Sequence, residues 1–248
     1  MGRTTGSDSL DRYSAGEYEA VWAEMLQLGE ALVSAPAYEH ARVVAEETMR
    51  RARANVELLI ERLRAAGYEF QYPEAVHVRP TDAEIARLDT LEGELGPLPL
   101  SLRTFYELVG TVDLTQSWDQ LVQWWEERRQ SASELEILGE FDPLVVEPLT
   151  LDGNEGAYRP NWFFFAPDEC HKANYSGGEN YHVALPDAAA DFPIRGLSGV
   201  DELFVPYLRA TLANGGFRGK IECEGENCWK VEPGLELTRT LAVGLTPM

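Results

Sequence analysis

The chain has little cysteine, little basic charge and no long apolar run. Its 248 residues hold three Cys, at positions 170, 223 and 228. Three is odd and too few for a disulfide framework, so reduced thiols in a cytoplasm are the simplest reading. No stretch approaches the roughly 18 apolar residues of a membrane helix. Residues 1–10 are polar, unlike a secretory leader. Lys and Arg total 21 against 42 Asp and Glu, a formal charge of −21. That balance disfavours nucleic acid and anionic membranes and attracts basic partners. Several chemical motifs are missing too. Gly177-Gly178 lacks the lysine and spacing of a phosphate loop, and no Ser sits in a nucleophile elbow. Cys223-x4-Cys228 has no second pair of comparable spacing for zinc, and Cys170 and His171 are adjacent, so their side chains diverge. No cofactor, no resident metal and no catalytic residue is expected.

What is present reads as an α+β protein. Hydrophobic residues make up 44%, enough for a sizeable core, and six Trp suggest that large rings build part of it. Residues 1–14 are polar and read as a disordered start. Residues 15–67 read as a helical hairpin. Tyr18, Val21, Trp22, Met25 and Leu32 share one face of a first helix. Ala41, Ala45, Thr48, Ala52, Val56, Leu59 and Leu63 form the stripe of a second, which Gly67 stops. That stripe must bury itself on the rest of the chain or on a second copy, which makes a homodimer through the hairpin one outcome. Residues 68–80 look like a linker or edge strand. Thr81 and Glu84 form a capping box ahead of Ile85, Leu88, Leu91 and Leu95, and a short helix with Leu102, Phe105 and Tyr106 ends at Gly110.

Beyond it, strands are predicted at 112–114, 135–138, 144–146, 162–165 and 181–185, with a last one in 234–245. A surface helix at 117–130 would carry Trp118, Trp124 and Trp125, read as core rings. Another helix is predicted at 201–212. Turn-rich separators favour a mixed or mainly antiparallel sheet with packed helices.

The run LGPLPLSLRTFYELVG at 95–110, behind its capped acidic helix, resembles the N-terminal helices of the SUKH superfamily. FDPLVVEPL at 141–149, FFFAPDECHKANYSGGENYHVALPDAAAD at 163–191 and DELFVPYLRATLANGGF at 201–217 agree with it. The resemblance covers about residues 80–220 and implies a SUKH-like α+β domain over 81–248, with the hairpin outside the pattern. The superfamily includes Smi/Knr-type cell-wall regulators and bacterial immunity proteins thought to neutralise toxins. It has no shared catalytic residues to carry over.

The densest polar cluster lies in the 166–187 loop. Asp168, His171, Lys172, Asn174, Ser176, Tyr181 and His182 are its candidate binding residues. Loops held by a rigid sheet are where binding residues concentrate. The plainer reading is a loop whose Asp, Asn and Ser side chains cap backbone groups while Lys172 pairs with Glu179 or Asp187. Two functions stay open: a non-catalytic binding protein, as in immunity to a basic toxin, or a small-molecule binder or enzyme that uses this loop.

Overall fold

A computed structural model of the chain describes residues 6–122, 131–149, 161–176, 178–197, 202–224 and 227–248. Most of residues 6–65 are helical. Helix α1 (Gly6–Ser14) lies where a disordered start was expected. Its Tyr13 is fully buried and α1 packs on α3 (Ala35–Ala65), which accounts for the order. Helix α2 (Tyr18–Gln27) and a 3-10 turn (Gly29–Val33) complete the first arm of the hairpin. Trp22 Nε1 donates to Thr48 Oγ1 at 3.1 Å and ties α2 to α3.

The α3 stripe comes out as predicted. Ala41, Ala45, Thr48, Ala52, Val56, Leu59 and Leu63 are all buried. They are covered by the chain itself, since α3 packs against α1, α5 (Leu100–Leu108), α8 (Phe204–Ala213) and α9 (Glu236–Ala242). No second copy is needed to cover that face. Gly67, at φ 86°, ends the helix as expected. Tyr68 N donates to Leu63 O and Gly67 N to Arg64 O, a Schellman stop that needs a residue at ease in the left-handed region.

Strand β1 (His77–Val78) is an edge strand, as one expectation for 68–80 had it. It pairs antiparallel with β2 (Thr111–Asp113), which pairs with β3 (Val145–Val146). Strands β4 (Trp162–Ala166) and β5 (Tyr181–Ala184) form an antiparallel hairpin with a register shift between Phe164 and Ala166. Glu147 N donates to Phe165 O at 2.8 Å and links β3 to β4. Helix α4 (Asp82–Leu95) opens on the predicted capping box, with both the Thr81 and the Glu84 bonds made. One buried cluster runs from Tyr13 through the α3 stripe to Phe105, Phe165, Phe192, Phe204 and Leu241. Among the described residues its large rings are Phe and Tyr more than Trp.

Four local readings are corrected. Residues 135–138 are not a strand. Helix α6 (Glu134–Ile137) starts there on a second capping box, Ser133 with Glu136. The tail carries α9 rather than a strand, because the carboxylate of Glu134 accepts from Glu236 N (3.0 Å) and Leu237 N (2.8 Å) and caps it from another element. Residues 220–224 and 227–231, where no strand was predicted, pair as the hairpin β6 (Lys220–Glu224) and β7 (Asn227–Val231). Residues 118–120 are a turn, not helix, and the remainder of that expected helix, 123–130 with Trp124 and Trp125, lies outside the described residues. No helix among the described residues is long and apolar enough to cross a membrane.

Candidate functional site

The loop between β4 and β5 is organised by one carboxylate. Asp168, 1% exposed, precedes the short helix α7 (Glu169–Lys172) and accepts from Cys170 N at 2.8 Å and His171 N at 3.1 Å. Its other oxygen lies 2.5 Å from His171 Nδ1. A carboxylate only accepts, so the proton belongs on Nδ1 and Nε2 is the free ring nitrogen. Gly178 closes over Asp168: a Cβ there would stand 2.4 Å from Oδ1. Asn174, at φ 62°, ends α7 with the same double bond that ends α3, Tyr175 N to Cys170 O and Asn174 N to His171 O. Asn is one of the few side chains that accepts this backbone.

Lys172 does not pair with Glu179 or Asp187. Its ammonium turns inward to Asp142 Oδ1 at 2.6 Å, with both side chains fully buried. It also lies 4.6 Å from the centre of the Tyr181 ring. The Tyr181 hydroxyl shares its proton between Glu169 Oε2 (2.8 Å) and Asp142 Oδ2 (3.2 Å). Burial and these carboxylates raise the Tyr181 phenol well above its usual range, which keeps it a donor. Asp142 itself sits at φ 50°.

A cleft of about 1030 Å³ opens between this loop and the edge of the β2–β3 pair. His171, Lys172, Asn174 and Ser176 line one wall, with Cys170. Asp113, at the end of β2, and Glu147, just past β3, line the other. Tyr72 and Trp118 stand at its rim, 50% and 41% exposed. Two extended segments bring them there: Phe70 bridges Gln116, Gln71 N donates to Thr115 O (2.8 Å), and Trp118 N donates to Gln71 Oε1 (2.9 Å). Trp118 is thus a cleft ring, not the core ring its spacing suggested.

The sequence-named residues therefore divide. His171, Lys172, Asn174 and Ser176 come together in the cleft. Asp168 and Tyr181 stand behind them as supports. His182 is elsewhere: neighbours on a strand point to opposite faces, and its ring stacks on Trp162 at 3.7 Å between centroids, with Nδ1 2.9 Å from Asn180 O. His171 and His182 do not converge. Six residues the sequence did not single out share the cleft: Tyr72, Asp113, Thr115, Glu147, Pro167 and Tyr175.

The electrostatics fit binding better than nucleophilic attack. Burial and the adjacent Glu169 and Asp168 carboxylates push the Cys170 thiol up to about 11, so it is protonated near neutrality and a poor nucleophile. Glu147 is an exposed residue, yet partial burial of its carboxyl, with the charge of Asp113 added, raises it above its ordinary range against the partial counter-effect of Lys172. Among the described residues, no three His, Cys, Asp or Glu gather as metal ligands. No family model, no curated protein and no solved structure matches the chain.

Proposed function

We propose that the chain is a non-catalytic protein-binding module with a SUKH-like domain, of the immunity type, that neutralises a basic toxin by holding it. The observation that carries this reading is the cleft: exposed Trp118 and Tyr72 beside Asp113 and Glu147, with the Lys172 charge turned away into the core. A net charge of −21 adds long-range attraction for a basic partner. The SUKH-like motifs over about residues 80–220 support the same class. The test is co-expression with the toxin encoded beside this chain. Growth should be restored and the two proteins should co-purify. If no neighbour-encoded protein is bound or neutralised, the reading fails.

One observation favours a second reading, an enzyme or small-molecule binder that uses the 166–187 loop. His171 is oriented by the buried Asp168, the arrangement that positions a general base. Under this reading, wild-type protein hydrolyses a panel of chromogenic esters and amides at least about tenfold faster than His171→Gln. Equal rates remove it.

A further inference from the structure

We infer that the cleft between the β2–β3 edge and the α7 loop is a receptor for a guanidinium group, the side chain of an arginine presented by a basic protein partner. This rests on the binding role proposed above and supplies its chemistry.

Three features converge on a planar cation. The first is the pair of rings. Single exposed apolar residues are ordinary on a protein surface, but Trp118 and Tyr72 line one cleft at 41% and 50% exposure. Ring faces attract cations, Trp most strongly, and Arg stacks on them more readily than the compact, strongly hydrated ammonium of Lys.

The second is the pair of carboxylates. Asp113 uses Oδ1 to accept from Thr115 N at 2.9 Å, which leaves Oδ2 without that bond. Glu147 reaches the same cleft. Burial first and the Asp113 charge second raise the Glu147 carboxyl, and a cation between the two carboxylates offsets both effects. A guanidinium fork has enough donors to meet two carboxylates at once.

The third is that the lysine in the lining, Lys172, is already committed: its ammonium is held by Asp142 in the core, 2.6 Å away. From there it offsets the Glu147 charge only in part, and it could pair with the two carboxylates directly only by leaving Asp142, which would strand a buried charge. At about 1030 Å³ the cleft is also larger than one side chain. It has room for the backbone around the arginine, which favours a loop of a protein over a free amino acid.

The test uses the full chain, ¹⁵N-labelled, titrated by NMR with the capped tripeptide Gly-Arg-Gly and with its citrulline counterpart, which is isosteric and neutral. The arginine peptide should shift the Trp118 indole saturably, and citrulline should bind about tenfold more weakly or worse. The double variant Asp113→Asn, Glu147→Gln should lose a similar factor, and Trp118→Ala, read at the backbone amide of Thr115 in the same cleft, about fivefold. Asn at 113 keeps an acceptor for Thr115 N, and Trp118 is half out of the fold, so these variants should fold. An unchanged signal from the Trp22 indole, bonded to Thr48 in the core, verifies that. Equal binding of arginine and citrulline, or shifts indifferent to the double variant, overturn the inference. If the arginine peptide binds while no neighbour-encoded toxin does, the binding role falls and the cleft chemistry stands. If a toxin binds and the Asp113, Glu147 and Trp118 variants hold its affinity within about twofold, the cleft falls and the role stands.

Discussion

At the scale of single residues, the site is held by charges that the fold cannot easily release. Lys172 and Asp142 are a buried pair, joined at 2.6 Å. Such a pair contributes little net stability over an apolar one, but removing a single partner strands the other charge. Lys172→Met should therefore destabilise the chain by about 3–5 kcal/mol in chemical denaturation. A loss below about 1 kcal/mol would mean that Asp142 finds another partner. Asp191 is a second buried carboxylate. It accepts from Ser101 Oγ (2.7 Å) and Val205 N (3.0 Å), yet burial outweighs these bonds and raises its carboxyl from 3.8 to about 7. The folded chain then holds this proton more tightly than the unfolded chain does. The stabilisation is complete below pH 3.8 and is lost as the pH climbs to about 7. Asp191→Asn mimics the protonated acid. Relative to wild type it should gain on the order of 4 kcal/mol between pH 4 and pH 8. Parallel denaturation curves at the two pH values check this.

At the scale of elements, legibility followed whether a signal was local. The Gly67 stop and the Thr81–Glu84 box each lie within a few residues, the α3 stripe repeats every three or four, and each formed as read. Ser133 and Glu136 make the same kind of box. It was missed because the apolar run at 135–138 is too short for its period to separate helix from strand. Helix α9 had no local start signal, since its cap is Glu134, about a hundred residues earlier in the chain. The C-terminal segment is fixed in a similar way. The Asn55 amide donates to Thr246 O and accepts from Thr246 N, both at 2.8 Å, and so acts as a side-chain substitute for a strand partner. Asn55→Ala should cost about 1–3 kcal/mol. Hydrogen exchange at the Thr246 amide should also accelerate, while the amides of the α3 centre stay protected. Unchanged exchange at Thr246 would show that the tail is held by other contacts.

At the scale of the whole molecule, the candidate site was half legible. Its α7 wall is contiguous in sequence, and the density of polar residues at 168–176 pointed to it. The facing wall is assembled from Tyr72, Asp113, Trp118 and Glu147, which only the pairings of 70 with 116 and of 112 with 146 bring to one place. No spacing rule reports such a juxtaposition, and Trp118 by itself looked like a core residue. His182 was included because it lies close in sequence, but strand alternation sends it to the other face.

The net charge of −21 acts at the same scale. It steers encounter instead of locating a contact, so it should appear in association rates more than in dissociation rates. The most direct measurement is stopped-flow association of this chain with the basic protein proposed as its partner, from about 20 to 500 mM salt. A binding role through an acidic cleft predicts a rate that falls about tenfold or more over that range, with dissociation changing far less. An association rate that is flat with salt, or that rises, contradicts it.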